Sequence, residues 1–251
     1  MRKLKLAQYS LTGCEGCAVN LLNVVARSPE ILERVEICAS RIVGVLAGGV
    51  ARADVAVIDG CVVTKHDEEV ARAARDTADV VVALGTCACT GGINALKDVI
   101  GHEAATGAVY LRAPREPHLS EAKPLGEVID VDYELPGCPA LRSEIELLLV
   151  HLLLGKTFRL TDRAVCHDCK AAGLPCLLEE GVPCLGPLTR GGCDAICIRY
   201  GTPCWGCRGL TDEPKFDEFY RAIEEHGIPW EAVKRLAGVF LSKTELGRVL
   251  G

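Results

Sequence analysis

The stretch Val80-Val81-Val82-Ala83-Leu84, running straight into Gly85-Thr-Cys87-Ala-Cys89-Thr-Gly-Gly92, decides the fold. An uninterrupted β-branched run after Asp79 predicts a strand buried on both faces, the kind found in parallel sheets covered by helices. Upstream, Leu4 to Tyr9 and Val55 to Asp59 read as further strands. Ala18 to Ala26, stopped near Ser28-Pro29, reads as a short apolar helix. Asp67 to Thr77 reads as a helix with Val70, Ala74 and Ala78 at helical spacing. Downstream, Glu127 to Val131 is a strand candidate, and Ala140 to Leu154 reads as a buried helix ending at Gly155. Strands alternating with helices imply right-handed βαβ units.

From about Lys156 this pattern stops. Residues 166 to 207 hold eight cysteines among many Gly and Pro, with little periodicity. A segment that irregular needs a staple beyond an apolar core. Phe216 to His226 and Trp230 to Leu236 read as short helices, and Lys243 to Leu250 as a frayed last one. The expected architecture is therefore α/β, with a first domain over 1–155 and a small irregular domain over 156–251.

Composition narrows the function. The 251 residues carry a net charge of −6, which excludes a non-specific nucleic-acid binder. The longest apolar stretch, Ile145 to Leu154, contains Glu146 and His151 and falls short of the roughly 20 residues of a membrane span. Met1 to Ala7 carries Arg and Lys but no apolar h-region and no twin arginine, so a cytoplasmic location is expected. Fifteen cysteines are far more than a cytosolic chain keeps as disulfides, and they point to metal. A single Met and few Asn or Gln hint at a thermophilic source. No two-carboxylate or Ser-His-Asp constellation stands out, and no catalytic residue is expected on this chain.

Four cysteines of the first half lie at predicted strand ends. Cys14 and Cys17 form Thr-Gly-Cys-Glu-Gly-Cys after the first strand, Cys87 follows the strongest strand, and Cys138 sits in Leu-Pro-Gly-Cys-Pro before the long helix. Ligands of an open parallel sheet gather beyond the carboxyl ends of its strands. Three loops can thus bring four thiolates to one point, enough for a cubane iron–sulfur cluster whose sulfides accept hydrogen bonds from glycine N–H groups. Cys14 and Cys17 alone would also suit a thioredoxin-type dithiol, which leaves Cys87 and Cys138 unexplained. Gly85 to Gly92 lacks the G-x-G-x-x-G spacing of a dinucleotide loop. Cys87 is preferred to Cys89 because it comes first after Gly85-Thr86. Cys89 and Cys61 lie at strand ends and either line the site or substitute as ligands, and Cys38 reads as a small buried hydrophobe.

The second half offers Cys166-x2-Cys169, Cys176, Cys184, Cys193, Cys197 and Cys204-x2-Cys207. The simplest division is contiguous: Cys166, Cys169, Cys176 and Cys184, then Cys193, Cys197, Cys204 and Cys207. Two structural zincs satisfy the same arithmetic, although redox-silent metals beside a cluster have little purpose. Interleaved ligation also stays open, without the tight C-x2-C-x2-C-x3-C-P run that usually marks it. His167 reads as a solvated residue beside the ligands.

Taken together, Cys-Glu-Gly-Cys, Gly-Thr-Cys-Ala, Pro-Gly-Cys-Pro, Cys176-Leu-Leu-Glu-Glu-Gly-Val-Pro-Cys184-Leu-Gly-Pro, Gly192-Cys193 and Pro203-Cys204-Trp-Gly-Cys207 resemble the small subunit of nickel–iron hydrogenases. Within the family the chain looks most like the cytoplasmic small subunits of F420-non-reducing hydrogenases and archaeal sulfhydrogenases. The resemblance runs from Leu4 to about Gly209. It implies a flavodoxin-like domain with a proximal 4Fe–4S cluster on Cys14, Cys17, Cys87 and Cys138. It implies a distal cluster on Cys166, Cys169, Cys176 and Cys184, and a medial one on Cys193, Cys197, Cys204 and Cys207. Cys166 stands where periplasmic members place a histidine, and Cys197 supplies a thiolate where they hold a three-iron cluster; both departures favour three cubanes. Cys61 lies in a loop that approaches the proximal cluster in relatives.

The resemblance further implies a partner large subunit holding the nickel–iron centre, because this chain has no Cys-x-x-Cys pairs to spare for it. Electrons would pass proximal to medial to distal and out to a further redox subunit, whether a flavoprotein, ferredoxin-like or linked to heterodisulfide reductase. Glu15, beside two thiolates, either carries a proton or places negative charge at the large-subunit interface, or is a solvated charge at a helix N-terminus. The mean hydropathy of +0.22 suits a chain that buries surface against a partner. A rival is an iron–sulfur subunit of a non-hydrogenase complex related to quinone reductases; those have one cluster and usually adjacent cysteines in the first motif.

Overall fold

The computed structural model describes residues 2–45, 49–110 and 118–250. The chain forms two compact units, Met1–Leu160 and Thr161–Gly251. Among its described residues the first contains seven strands: β1 (Leu4–Ser10), β2 (Val35–Ala39), β3 (Ala53–Asp59), β4 (Val62–Thr64), β5 (Ala78–Leu84), β6 (His118–Lys123) and β7 (Tyr133–Leu135). Five of them pair in parallel in the order β2-β1-β3-β5-β7, while β4 and β6 form a separate antiparallel pair. Numbering the large sheet alone gives 2-1-3-4-5, the flavodoxin-like order expected from the sequence.

Among the same residues, seven helices accompany these strands: α1 (Gly16–Arg27), α2 (Pro29–Arg34), α3 (Lys65–Thr77), α4 (Thr86–Thr90), α5 (Leu96–Ile100), α6 (His102–Val109) and α7 (Arg142–Leu153). The period-two alternation of the central strands divides the core. Val55, Val57, Val82 and Leu84 pack with Leu21, Val24 and Val25 of α1 and Ile145, Leu148 and Leu149 of α7. Their neighbours Ala56, Ile58, Val81 and Ala83 pack with Ala71 and Ala74 of α3 and Ala88 of α4. Small side chains on the second face let α3 and α4 approach closely, which an all-valine strand surface would not allow. Phe158 and Leu160 also pack with the first of these clusters, which carries the first unit past Gly155.

Several expectations need correction. Strand β2 was not expected: it is short, and only Val35 and Ala39 are buried, so no apolar run announces it. Cys38, expected to be buried, is half-exposed on this strand. Glu127 to Val131 is not a strand. Glu127 closes a 3-10 turn, Leu125–Glu127, and Val128, Ile129 and Val131 pack as side chains on the α3 face of the core. The pairing strand is β7, in register with β5 at Val82 and Tyr133. The Asp132 carboxylate selects that register by accepting from the Val81 N–H at 2.7 Å and from Arg75. The buried face of α3 is Asp67, Ala71 and Ala74, whereas Ala78 already begins β5. Helix α7 ends at Leu153, one residue short of the expected end, and is buried on one face only, leaving Leu147 and Val150 exposed.

The second unit holds α8 (Val165–Ala171), α9 (Ile196–Arg199), α10 (Phe216–Glu225), α11 (Trp230–Phe240) and α12 (Glu245–Leu250). It has a larger apolar core than its irregular sequence suggested. Leu177, Leu185, Leu188 and Ile198 from the cysteine-rich loops pack on Phe219, Ile223, Val233, Leu236 and Leu246 of the last three helices.

A buried carboxylate ties the first unit's loops together. Asp67 caps α3 reciprocally with Thr64, and its Oδ2 accepts from Thr12 Oγ1 at 2.8 Å, Val63 N at 3.0 Å and Thr64 N at 2.8 Å. Asp67→Ala would leave these donors buried without an acceptor and is expected to destabilise the chain by about 3 kcal/mol. Asp67→Asn, which keeps one acceptor, should lose less; urea unfolding midpoints test both.

Candidate iron–sulfur centres

Parallel pairing aligns the carboxyl ends of the strands. Ser10 lies opposite Asp59, and Asp59 opposite Leu84, so the loops after β1, β3 and β5 leave the sheet at one level, with that after β7 beside them. Those loops carry Cys14, Cys61, Cys87 and Cys138. The β5 and β7 loops are laced together: Gly85 N donates to Leu135 O at 2.8 Å, Thr86 N to Gly137 O at 3.0 Å, and Gly137 N to Thr86 Oγ1 at 3.1 Å. The Ala140 N–H points at the Cys17 sulfur, 3.4 Å away, so α1 meets the β7 loop there. Asn20 adds a bond to Ala140 O at 2.9 Å.

Electrostatics group Cys14, Cys17, Cys87 and Cys138. Burial pushes Cys17 up to about 12; the Ala140 N–H pulls it back, while Asp59, Cys87 and Cys138 push further. Burial also raises Cys87, with Cys138 and Cys14 adding to it, and raises Cys138, with Cys14 adding. Thiols raised in this way, Cys17, Cys87 and Cys138, stay protonated until cationic metal compensates their charge. Glycines keep the space beside them open. At Gly85, where φ is +86°, a Cβ would overlap the Cys17 sulfur. At Gly92 a Cβ would stand 3.1 Å from the Cys87 sulfur, and at Gly16 3.5 Å from that of Cys14. A cluster whose sulfides need close main-chain N–H groups fits such surroundings.

Cys61 and Cys89 take other places. Cys61 is fully buried, with its sulfur 3.1 Å from Lys123 O. Cys89 faces inward on α4, 3.5 Å from Ala83 O, where burial holds its thiol well above the usual range. Two positions along one helical turn thus send Cys87 toward the other thiols and Cys89 into the core.

In the second unit, burial pushes Cys166 up to about 12, reinforced by Cys184, Cys169 and Cys176. Cys169 and Cys184 are likewise raised by burial, each with Cys176 contributing. A Cβ on Gly186 would stand 3.4 Å from the Cys166 sulfur and 3.5 Å from that of Cys184. The structure therefore gathers Cys166, Cys169, Cys176 and Cys184. The last four appear as two pairs, Cys193 with Cys197 and Cys204 with Cys207. Cys184 also accepts from the Cys204 N–H at 3.3 Å. His167 is exposed. Among the described residues, no three Cys, His, Asp or Glu side chains close to the spacing that one metal ion demands.

Sequence reasoning missed two buried polar residues, Asp59 and Arg208, and the partner of Glu15. Asp59 is 3% exposed at the end of β3, where it accepts from Ser10 Oγ at 2.9 Å and Gln8 Nε2 at 3.2 Å; Gln8 in turn accepts from Ser40 Oγ at 2.8 Å. Burial raises the Asp59 carboxyl, and the Ser10 and Gln8 bonds partly offset that. Its signal was a carboxylate closing an apolar strand just before Gly60. Glu15 adopts a left-handed conformation at the start of α1 and pairs with Arg41, which the sequence places far away. Arg208, beside Cys207, is 2% exposed.

Comparison with known proteins follows the same outline. The family model described as the NADH ubiquinone oxidoreductase 20 Kd subunit matches residues 14–152. Sulfhydrogenase 2 subunit delta of Pyrococcus furiosus is 34% identical over 238 residues, spanning 94% of this chain and 99% of the relative. A vhu subunit of the F420-non-reducing hydrogenase from Methanocaldococcus jannaschii is 33% identical over 239 residues, spanning 84% and 83%. A chain of an NAD+-reducing nickel–iron hydrogenase, solved in its H2-reduced state, superposes with a TM-score of 0.58 at 31% identity, covering 64% of this chain and 96% of that one.

Gly85→Ala combines a strained φ with overlap on the Cys17 sulfur. It is expected to lower bound iron without unfolding the chain, as read by iron analysis alongside circular dichroism.

Proposed function

Because the chain belongs to the family of NADH ubiquinone oxidoreductase 20 Kd subunits and nickel–iron hydrogenase small subunits, we propose that it is the electron-transfer small subunit of a nickel–iron hydrogenase. The observation that carries this reading is the meeting of Cys14, Cys17, Cys87 and Cys138 at the ends of three strands, around glycines that leave room beside their sulfurs. The gathering of Cys166, Cys169, Cys176 and Cys184 supports a second site. Cys193, Cys197, Cys204 and Cys207 complete the twelve thiolates for three 4Fe–4S clusters, proximal, distal and medial in that order of residues. When bound, such clusters supply one-electron steps between hydrogen oxidation in the large subunit and a further redox subunit.

The chain's own residues have three tasks. The thiolates hold iron. The main-chain N–H groups of Ala140 and Cys204, aimed at the sulfurs of Cys17 and Cys184, stabilise negative charge there and so favour the reduced form. The apolar core on both sides of the sheet fixes the strand ends and so the positions of the donors. Large apolar side chains such as Val19, Leu32, Ile100, Leu147 and Leu154 stand exposed, which suits a subunit that covers them in a complex. Among the described residues no helix is long and apolar enough to cross a membrane. A cytoplasmic location for the complex is part of the same proposal. The quinone-reductase alternative accounts less well for the chain. The family model ends at residue 152, whereas the hydrogenase subunits align over the cysteine-rich second unit as well.

Metal analysis of the anaerobically purified complex should find roughly twelve irons per copy of this chain; two or three zincs instead would overturn the reading. In the same complex, Cys87→Ala is expected to remove about a third of the iron and abolish hydrogen-dependent dye reduction while the nickel centre still forms. Electron transfer retained in that variant would strike Cys87 from the donors.

A further inference from the structure

The loops after β1, β5 and β7 carry Cys14, Cys87 and Cys138, and hydrogen bonds tie them to one another. Thr86 and Gly137 join the β5 and β7 loops, and Asn20 joins α1 to Ala140 beyond β7. The remaining side, from the Cys14 loop to the Cys87 loop, is crossed by a side chain that lies outside every cysteine motif. Asn94 Nδ2 donates to Thr12 O at 2.8 Å. Thr12 stands two residues before Cys14, and Asn94 seven residues after Cys87.

Both ends of this bond are anchored. On the Cys87 side, Gly92–Ala95 forms a 3-10 turn entered through Gly91, whose φ is +81°. The Gly91 N–H donates to Cys87 O at 3.1 Å, and the Ala95 N–H to Gly91 O at 3.3 Å. Ala95 is fully buried with Cys61, Val63 and Ala122, and the Cys87 side chain packs against the same cluster. A Cβ on Gly92 would stand 3.0 Å from Cys87 N, so turn and cysteine lie in close contact. On the Cys14 side, the Thr12 carbonyl also accepts from Cys61 N at 2.8 Å, and the Thr12 hydroxyl donates to Asp67 Oδ2 at 2.8 Å. A Cβ on Gly60 would stand 2.9 Å from the same carbonyl oxygen. Thr12 is thus the junction of the β1, β3 and β5 loops, and Asn94 is the arm that reaches it from the Cys87 side.

We propose that Asn94 is a positioning residue, whose carboxamide, bonded to the Thr12 carbonyl, fixes the separation of Cys14 and Cys87 and so retains the iron held between them. The inference rests on the reading of Cys14, Cys17, Cys87 and Cys138 as one cluster site. Donors held at their final spacing lose less freedom when metal binds, and a donor that lets go stays close enough to rebind. A carboxamide suits the task because it donates in a fixed direction and carries no charge, so it sets distance without altering the field at the thiols.

The test compares Asn94→Ala and Asn94→Asp in the anaerobically purified complex. Asp keeps the size of Asn but, ionised, has no N–H to donate. Iron is counted, its release to a ferrous chelator is timed, and the reduced clusters are followed by electron paramagnetic resonance. Both variants are expected to release about a third of their iron, one cluster in three, roughly tenfold faster than the parent, the scale of one lost hydrogen bond. One paramagnetic signal should change with it while the others keep their shape. Complexes that purify with that third already missing support the same conclusion. Release at the parent's rate from either variant overturns it: in Asn94→Ala because the tie would be dispensable, in Asn94→Asp because shape without a donor would suffice. Faster release of all the iron, or loss of all of it, also overturns it, because Asn94 would then hold the whole fold and not one site. A parent complex without iron would instead overturn the proposed function itself.

Discussion

Desolvation of cysteine thiols, which holds Cys17, Cys87 and Cys138 above the usual range, is the constraint on which the rest of this structure depends. Placing Cys14, Cys17, Cys87 and Cys138 together is unfavourable in the absence of metal, since burial raises Cys17, Cys87 and Cys138 and the neighbouring thiols raise them further. The scaffold must therefore hold the donors in place by other means. It does so with a parallel sheet whose two faces are both covered, so that strand ends cannot drift. The β5 and β7 loops are then laced through Thr86 and Gly137, and the β1 loop is pinned to β4 and α3 by Asp67.

Main-chain donors and glycines complete the arrangement. The Ala140 and Cys204 N–H groups each point at a sulfur, and Gly85, Gly92 and Gly186 keep Cβ atoms away from the thiols. Side chains in those positions would fill the space beside the sulfurs. The same economy recurs in both units, although one is built on a sheet and the other on loops packed against three terminal helices.

Charged groups act on several of the thiols, among them Asp59, Asp168, Lys170 and Arg208. Asp59 and Asp168 add negative charge toward Cys17 and Cys193, and Arg208 adds positive charge toward Cys193. In a dry interior such charges act over longer distances than in water.

The sequence by itself determined the strand–helix alternation, the doubly buried β5 and the spacing of the cysteines, because each is encoded in a local period or a short motif. Tertiary structure decided what no local pattern carries. It placed β2 at the sheet edge with only two buried side chains, and it moved the last strand from Glu127–Val131 to Tyr133–Leu135 through the grip of Asp132 on Val81. It turned Cys87 toward the other thiols and Cys89 into the core, and it buried Arg208 against the carbonyls before Cys193. Register, helix rotation and burial are set by partners dozens of residues away, and a period read along the chain contains no information about those distances.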